Sequence, residues 1–108
     1  MKKGEIWLVE LPFPLGHEQT GTRPAIIMSD LEADISIVIP LTSNIQALRF
    51  PHTLEIKKST NNGLETDSIA LVFQLRAIDK SRLRKRLGNL ETTILTKIDG
   101  MIRKLLNI

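Results

Sequence analysis

The apolar residues of this chain repeat with two different periods, and the change from one to the other limits what it can fold into. In residues 35–43, ISIVIPLTS, Ile35, Ile37, Ile39 and Leu41 alternate with Ser36, Val38, Pro40 and Thr42. Residues 68–76, SIALVFQLR, alternate again, with Ile69, Leu71, Phe73 and Leu75 on one side and Gln74 and Arg76 on the other. A period of two sends successive side chains to opposite faces of a strand, which puts Thr42 on the face opposite the isoleucine row. Further on, Leu87, Leu90, Ile94, Ile98, Met101 and Leu105 recur at helical spacing, predicting one long helix capped near Asn89 or Glu91. Strands come first and a helix last.

Three shorter segments rich in β-formers, residues 4–11 (GEIWLVEL), 24–29 and 52–56 (HTLEI), complete a set of at least five strands. Pro40 cannot donate to a ladder, so its strand is predicted to lie at an edge or to bulge there. Asn62-Gly63, inside KKSTNNGLETD, can supply the positive φ of a turn. Gly100 within the helix predicts a close contact, and Trp7 and Phe73 are expected in the core. This pattern describes an α+β domain built on a small barrel, a single domain over residues 1–108. A chain this short buries a real core but can lean on a partner subunit for stability.

Composition removes several chemistries. Without cysteine there is no disulfide framework, Cys-based metal site or thiol nucleophile. Two histidines, His17 and His52, make a poor zinc site, so neither metal nor cofactor is expected. The apolar run near the N-terminus is short and broken by Glu5 and Glu10, unlike a signal peptide or a membrane span, and a cytoplasmic location is expected.

The net charge of +3 is unevenly spread. Residues 1–56 carry four basic side chains against seven acids, whereas residues 57–108 carry eleven against five. Six of those eleven lie in RAIDKSRLRKR, residues 76–86. Such a block suits a polyanion or an acidic protein segment, and it equally suits a solvated turn.

Polar residues mark a possible site. Pro24 pushes Arg23 into extended backbone at the mouth of a strand, a rigid mount for a guanidinium that binds phosphate. Thr42 ends another strand, and Gln74 and Arg76 share a third. Glu18 and His17 lie in PFPLGHEQTGT, an eleven-residue loop over 12–22 that leads into Arg23. If the strands are neighbours, a cation, a hydroxyl and a carboxylate converge on one groove. RNA carries its own nucleophile, the 2′-OH, so such a set needs only a base, a cation for the phosphorane and an acid for the leaving 5′-oxygen. Histidine is the obvious acid–base residue at neutral pH, which makes His17 a candidate, with His52 structural. Phe13, between two prolines, either stacks a base or anchors the loop.

Four segments in order, GEIWLVELP, GHEQTGTRPAIIMSD, VIPLTS and DSIALVFQLRAIDKSRL, resemble the signature segments of the MazF/PemK family of toxin endoribonucleases. The resemblance implies an SH3-like small β-barrel with a C-terminal helix, the MazF/PemK/CcdB-like toxin fold, assembled as a homodimer. It implies sequence-specific, metal-independent cleavage of single-stranded RNA that leaves 2′,3′-cyclic phosphate and 5′-OH ends. It also implies neutralisation by an antitoxin with a disordered acidic and apolar tail. Arg23 of GTRP and Thr42 of PLTS fall on the family's catalytic arginine and threonine, and Glu18 on a loop carboxylate near the scissile bond. Gln74 matches a family glutamine and joins His17, Phe13, Ser43 and Arg76 as an RNA-binding candidate. Phe73 stands where relatives often carry an acidic or polar residue, a departure that bears on base preference. Acid and base remain unassigned, and two other readings stay open: a gyrase-binding toxin of the same fold, and a plain RNA-binding barrel.

The loop yields the first prediction. It is expected to be mobile in the free protein and to fold over RNA, with Gly16 and Gly21 as hinges and Pro24 holding Arg23 still. Deleting residues 14–19 should therefore abolish RNA cleavage and leave dimerisation intact; a deletion variant that cuts as fast as the parent contradicts this.

Overall fold

The computed structural model describes residues 2–11, 21–31 and 33–108. Among these residues seven strands precede one helix: β1 (Glu5–Leu11), β2 (Gly21–Asp30), β3 (Ile35–Thr42), β4 (Thr53–Ile56), β5 (Ser68–Leu71), β6 (Arg76–Asp79), β7 (Leu83–Asn89) and α1 (Thr92–Leu106). All pairings are antiparallel, in the order β4-β5-β3-β2-β1-β7, with β6 also on β3. Among the described residues no ladder joins β4 to β7, so the small SH3-like barrel stays open. No helix among them is long and apolar enough to cross a membrane.

Both faces of the sheet are covered. On one, Ile6, Ile26, Ile39 and Leu41 form a core that α1 closes with fully buried Ile98, while Leu95, Met101 and Leu105 pack around it. On the other, Val9, Ala25, Ile27 and Val38 pack with Ile69, Leu71 and Ile78. Each fully buried Ile or Leu contributes about 1.5–3 kcal/mol, so two such faces account for most of the drive to fold. Asn107, in the left-handed region at φ 59°, ends α1 and returns its N–H to the carbonyls of Arg103 and Lys104.

Five expectations change. Residues 68–76 are not one strand: a 3-10 turn at Val72–Gln74 separates β5 from β6, and β5 is buried on both faces. Phe73 consequently leaves the core and is exposed, stacking at 5.8 Å on exposed Phe50, whereas Trp7 stays half-buried against the second core. Pro40 is not at an edge. It sits inside the sheet where β3 changes its neighbour from β6 at Val38 to β5 at Leu41, so the lost donor falls in a gap between ladders. The helix begins at Thr92, with Glu91 as its N-cap, because Leu87 belongs to β7, a strand whose basic side chains hid it. Gly100 meets nothing within 4 Å, so no close contact explains it.

The turn between β4 and β5 is clamped to β7 and to the start of α1. Asn62 is fully buried, and its Oδ1 accepts from the N–H groups of Ser59 and Leu64, each at 3.0 Å. Its Nδ2 donates to the Lys57 carbonyl at 2.9 Å and to Glu91 Oε1 at 3.2 Å. Ser59 Oγ donates to the other Glu91 oxygen at 3.1 Å. Every hydrogen-bonding position of the buried amide is used, which is what makes its burial affordable. Gly63 follows at φ +69°, as the sequence predicted, and a Cβ there would lie 2.1 Å from the Leu87 carbonyl oxygen.

Two glycine substitutions should therefore act with opposite signs. Gly63→Ala combines left-handed strain with a backbone clash and should cost more than about 1–2 kcal/mol. Gly100→Ala, in open helix, should gain up to about 1 kcal/mol. Urea titration of both variants checks this; equal shifts of the same sign contradict it.

Candidate functional site

The β2–β3 ladder pairs Ile26 with Ile39 and Ala25 with Pro40. The ladder ends at this pair; extended two residues further, its register would set Arg23 opposite Thr42. Directly opposed residues of antiparallel strands share a face, with Cβ atoms about 4.5–5.5 Å apart. Arg23 is paired with Val9 of β1, so the half-buried arginine is held in the β1–β2 ladder. Thr42 is buried, and its Oγ1 accepts the N–H of Asn44 at 3.1 Å. Asn44 in turn caps the 3-10 turn Ile45–Arg49, accepting from the N–H of Gln46 at 3.0 Å. Neither side chain swings on a loop.

Arg76 faces Val38 across β6–β3, and period two places Val38 on the same side as Thr42. Its Nη2 donates to Gln74 Oε1 at 2.7 Å, which joins the two expected RNA contacts into one unit. Burial pulls the Arg76 guanidinium below its usual pKa, yet guanidinium stays charged at neutral pH. Arg23, Thr42, Gln74 and Arg76 thus belong to one side of the sheet.

Ser43 does not. It is exposed and lines a groove of about 550 Å³ on the opposite side, over Leu8, Pro24 and Leu41. The other wall of that groove is the segment Gly63–Thr66 that follows the Asn62 clamp, and Arg23 borders it as well. Glu18, His17 and Phe13 lie outside the described residues. The loop that holds them leaves and re-enters the sheet at the paired residues Leu11 and Gly21, two positions before Arg23.

The basic run is mostly strand and mostly engaged. Glu10 on β1 takes Arg84 at 2.6 Å and Arg82 at 3.6 Å, and Arg86 lies 3.6 Å from Glu5. The Glu5 carboxyl is held below its usual pKa, chiefly by the hydrogen bond from Trp7 Nε1 at 2.9 Å. The Lys80 ammonium donates to the Leu31 carbonyl at 2.8 Å. The acidic and basic halves of the chain therefore meet across β1 and β7. Sequence reasoning did not foresee the groove wall at Gly63–Thr66 or the exposed patch of Ile45, Leu48, Phe50 and Phe73. The signal for the wall was the Asn-Gly turn; the patch had none, since Phe73 fits an alternation that the backbone does not follow.

The family described as the PemK-like, MazF-like toxin of type II toxin–antitoxin systems matches residues 2–106. A relative named endoribonuclease EndoA, from Bacillus subtilis, is 34% identical over 107 residues, covering 95% of this chain and 91% of that protein. The crystal structure of MazF from Deinococcus radiodurans superposes with a TM-score of 0.79 at 21% identity, over 100% of this chain and 97% of that one. A mycobacterial endoribonuclease in complex with its cognate antitoxin aligns with a TM-score of 0.70 at 17% identity, over 98% and 92% of the two chains. The two solved structures share the fold, and the family match and the EndoA relative fix the lineage: this chain belongs to the PemK-like, MazF-like toxins of type II toxin–antitoxin systems.

Proposed function

We propose that the protein is a sequence-specific, metal-independent endoribonuclease that cuts single-stranded mRNA and so arrests translation and growth. What supports this reading most is that Arg23 and Thr42 lie on the same face of two paired interior strands, near the end where the β2–β3 ladder stops. RNA cleavage by 2′-OH attack, a transesterification that forms the 2′-O–P bond as the P–5′-O bond breaks, asks the enzyme for positioning and charge stabilisation more than for a nucleophile. Arg23 supplies the fixed positive charge that meets the phosphorane oxygens. Thr42, its oxygen anchored by the Asn44 N–H, positions the phosphate beside it. The products are a 2′,3′-cyclic phosphate and a 5′-OH. Gln74 and Arg76 bind the RNA on the same side, and Glu18, His17 and Phe13 contact it from the loop that opens next to Arg23. A gyrase-binding toxin of this fold needs no such pair, and the name of the EndoA relative favours the enzyme.

Two partners complete the reading. The mycobacterial structure holds an endoribonuclease with its antitoxin, which supports an antitoxin here whose acidic and apolar tail is disordered when free. Exposed Ile45, Leu48, Phe50 and Phe73 on one side, and Leu106 and Ile108 at the end of α1, offer apolar surface for a twofold homodimer. The protein acts in the cytoplasm, where its mRNA substrate is.

Arg23→Ala should keep the fold, since a half-exposed strand-end charge contributes little to stability. Its cleavage rate should fall about a hundred- to a thousandfold, the usual loss for one preorganised charge stabiliser. Wild-type turnover in a folded variant removes Arg23 from the chemistry. Light scattering at micromolar concentration should give a dimer, and a monomer there contradicts the assembly.

A further inference from the structure

The groove on the side of the sheet away from Thr42 has no role in cleavage as derived above, although Arg23 borders both. Its floor is apolar, made by Leu8, Pro24 and Leu41, and its rim is polar, made by Ser43, Glu65 and Thr66. A volume of about 550 Å³ lies within the usual 300–1,000 Å³ of small-ligand sites. An apolar floor under a hydroxyl and carboxylate rim matches a nucleobase, which presents a flat face and a hydrogen-bonding edge. It does not match a phosphate: among the described residues Arg23 is the one basic residue bordering the groove, and the Glu65 carboxylate on the rim repels anions.

The wall that carries Glu65 and Thr66 is also stiff. Leu64, immediately before Glu65, donates its N–H to the buried Asn62 amide at 3.0 Å. That amide is tied through Glu91 to the start of α1. Ser68, just beyond the wall, donates its hydroxyl to the Thr66 carbonyl at 3.0 Å. Both ends of the short segment are therefore pinned by hydrogen bonds, so its backbone keeps one geometry. A subsite that discriminates bases needs such a preorganised frame.

We propose that this groove is a base-reading subsite of the ribonuclease, in which Glu65 accepts a hydrogen bond from the amino group of a nucleobase next to the cleaved bond. The inference rests on the endoribonuclease reading and deepens it. A carboxylate is an acceptor only, so it suits the amino groups of cytosine, adenine or guanine. Uracil offers a carbonyl oxygen at the position of cytosine's amino group and is disfavoured there. Glu65 is thus a specificity-determining residue, separate from the charge stabilisation by Arg23.

The test is to digest a random single-stranded RNA pool with the full-length wild-type protein and with Glu65→Gln, and to sequence the new 5′ ends. Glutamine keeps the size of the side chain and adds an N–H donor, so uracil becomes acceptable. The wild type should discriminate about tenfold against uracil at one fixed position, and Glu65→Gln should lose that discrimination while others persist. Identical base profiles for the two proteins overturn the inference and leave the ribonuclease reading standing. So does a folded Glu65→Gln protein that cuts nothing, since Glu65 would then belong to the chemistry. A wild type that cuts no RNA overturns the ribonuclease reading and this inference with it.

Discussion

The ladder between β2 and β3 fixes the positions on which the rest of the molecule depends. Its register sets Ala25 against Pro40 and, by strand alternation, puts Arg23 and Thr42 on the same face just beyond the ladder's end. Because strand side chains alternate, slipping this ladder by one residue would send every apolar side chain of one strand to the wrong face. Both faces are sealed by separate cores, so the penalty is charged twice. The irregularity that the ladder tolerates, between Ile27 and Ser29, lies at the far end from Arg23, where buried Ser36 donates its hydroxyl to the Ser29 carbonyl at 3.0 Å. The geometry of the candidate site is thus set by hydrophobic register.

Around that ladder the chain adds two kinds of fastening. The Asn62–Ser59–Glu91 network ties a surface turn to the terminal helix through hydrogen bonds around a buried, fully satisfied amide. The Glu5 and Glu10 pairs with Arg82, Arg84 and Arg86 tie β1 to the edge strand β7. The second kind is partly exposed and each pair contributes at most about 1 kcal/mol. Its larger effect is on the surface: the basic run is partly neutralised where it crosses β1. A polyanion approaching there meets carboxylates as well as guanidiniums.

Much of this was legible in the residues. The alternation of Ile35 to Leu41 predicted β3, and period two correctly put Thr42 opposite the isoleucine row. Asn62-Gly63 predicted a turn with positive φ, and Gly63 adopts it. Pairing partners were not legible, because they depend on contacts between segments far apart in sequence. That is why Pro40 looked like an edge residue and why β7, whose Arg84, Lys85 and Arg86 interrupt any apolar pattern, was missed. Residues 68–76 misled for a different reason: a 3-10 turn preserves the alternating sequence while turning Phe73 outward. Of the expected site, Arg23, Thr42, Gln74 and Arg76 do share one side, while Ser43, one position past Thr42, faces the other.

The central claim is that a fixed arginine and threonine act on RNA that supplies its own nucleophile. The most direct measurement incubates the protein with a long single-stranded RNA in excess EDTA and identifies the chemistry of the new ends. Cleavage at a short recurring sequence, with 2′,3′-cyclic phosphate on one fragment and 5′-OH on the other, is the predicted result. Intact RNA that is only retarded on a gel, or cleavage that stops on chelation and leaves 5′-phosphate ends, would contradict it.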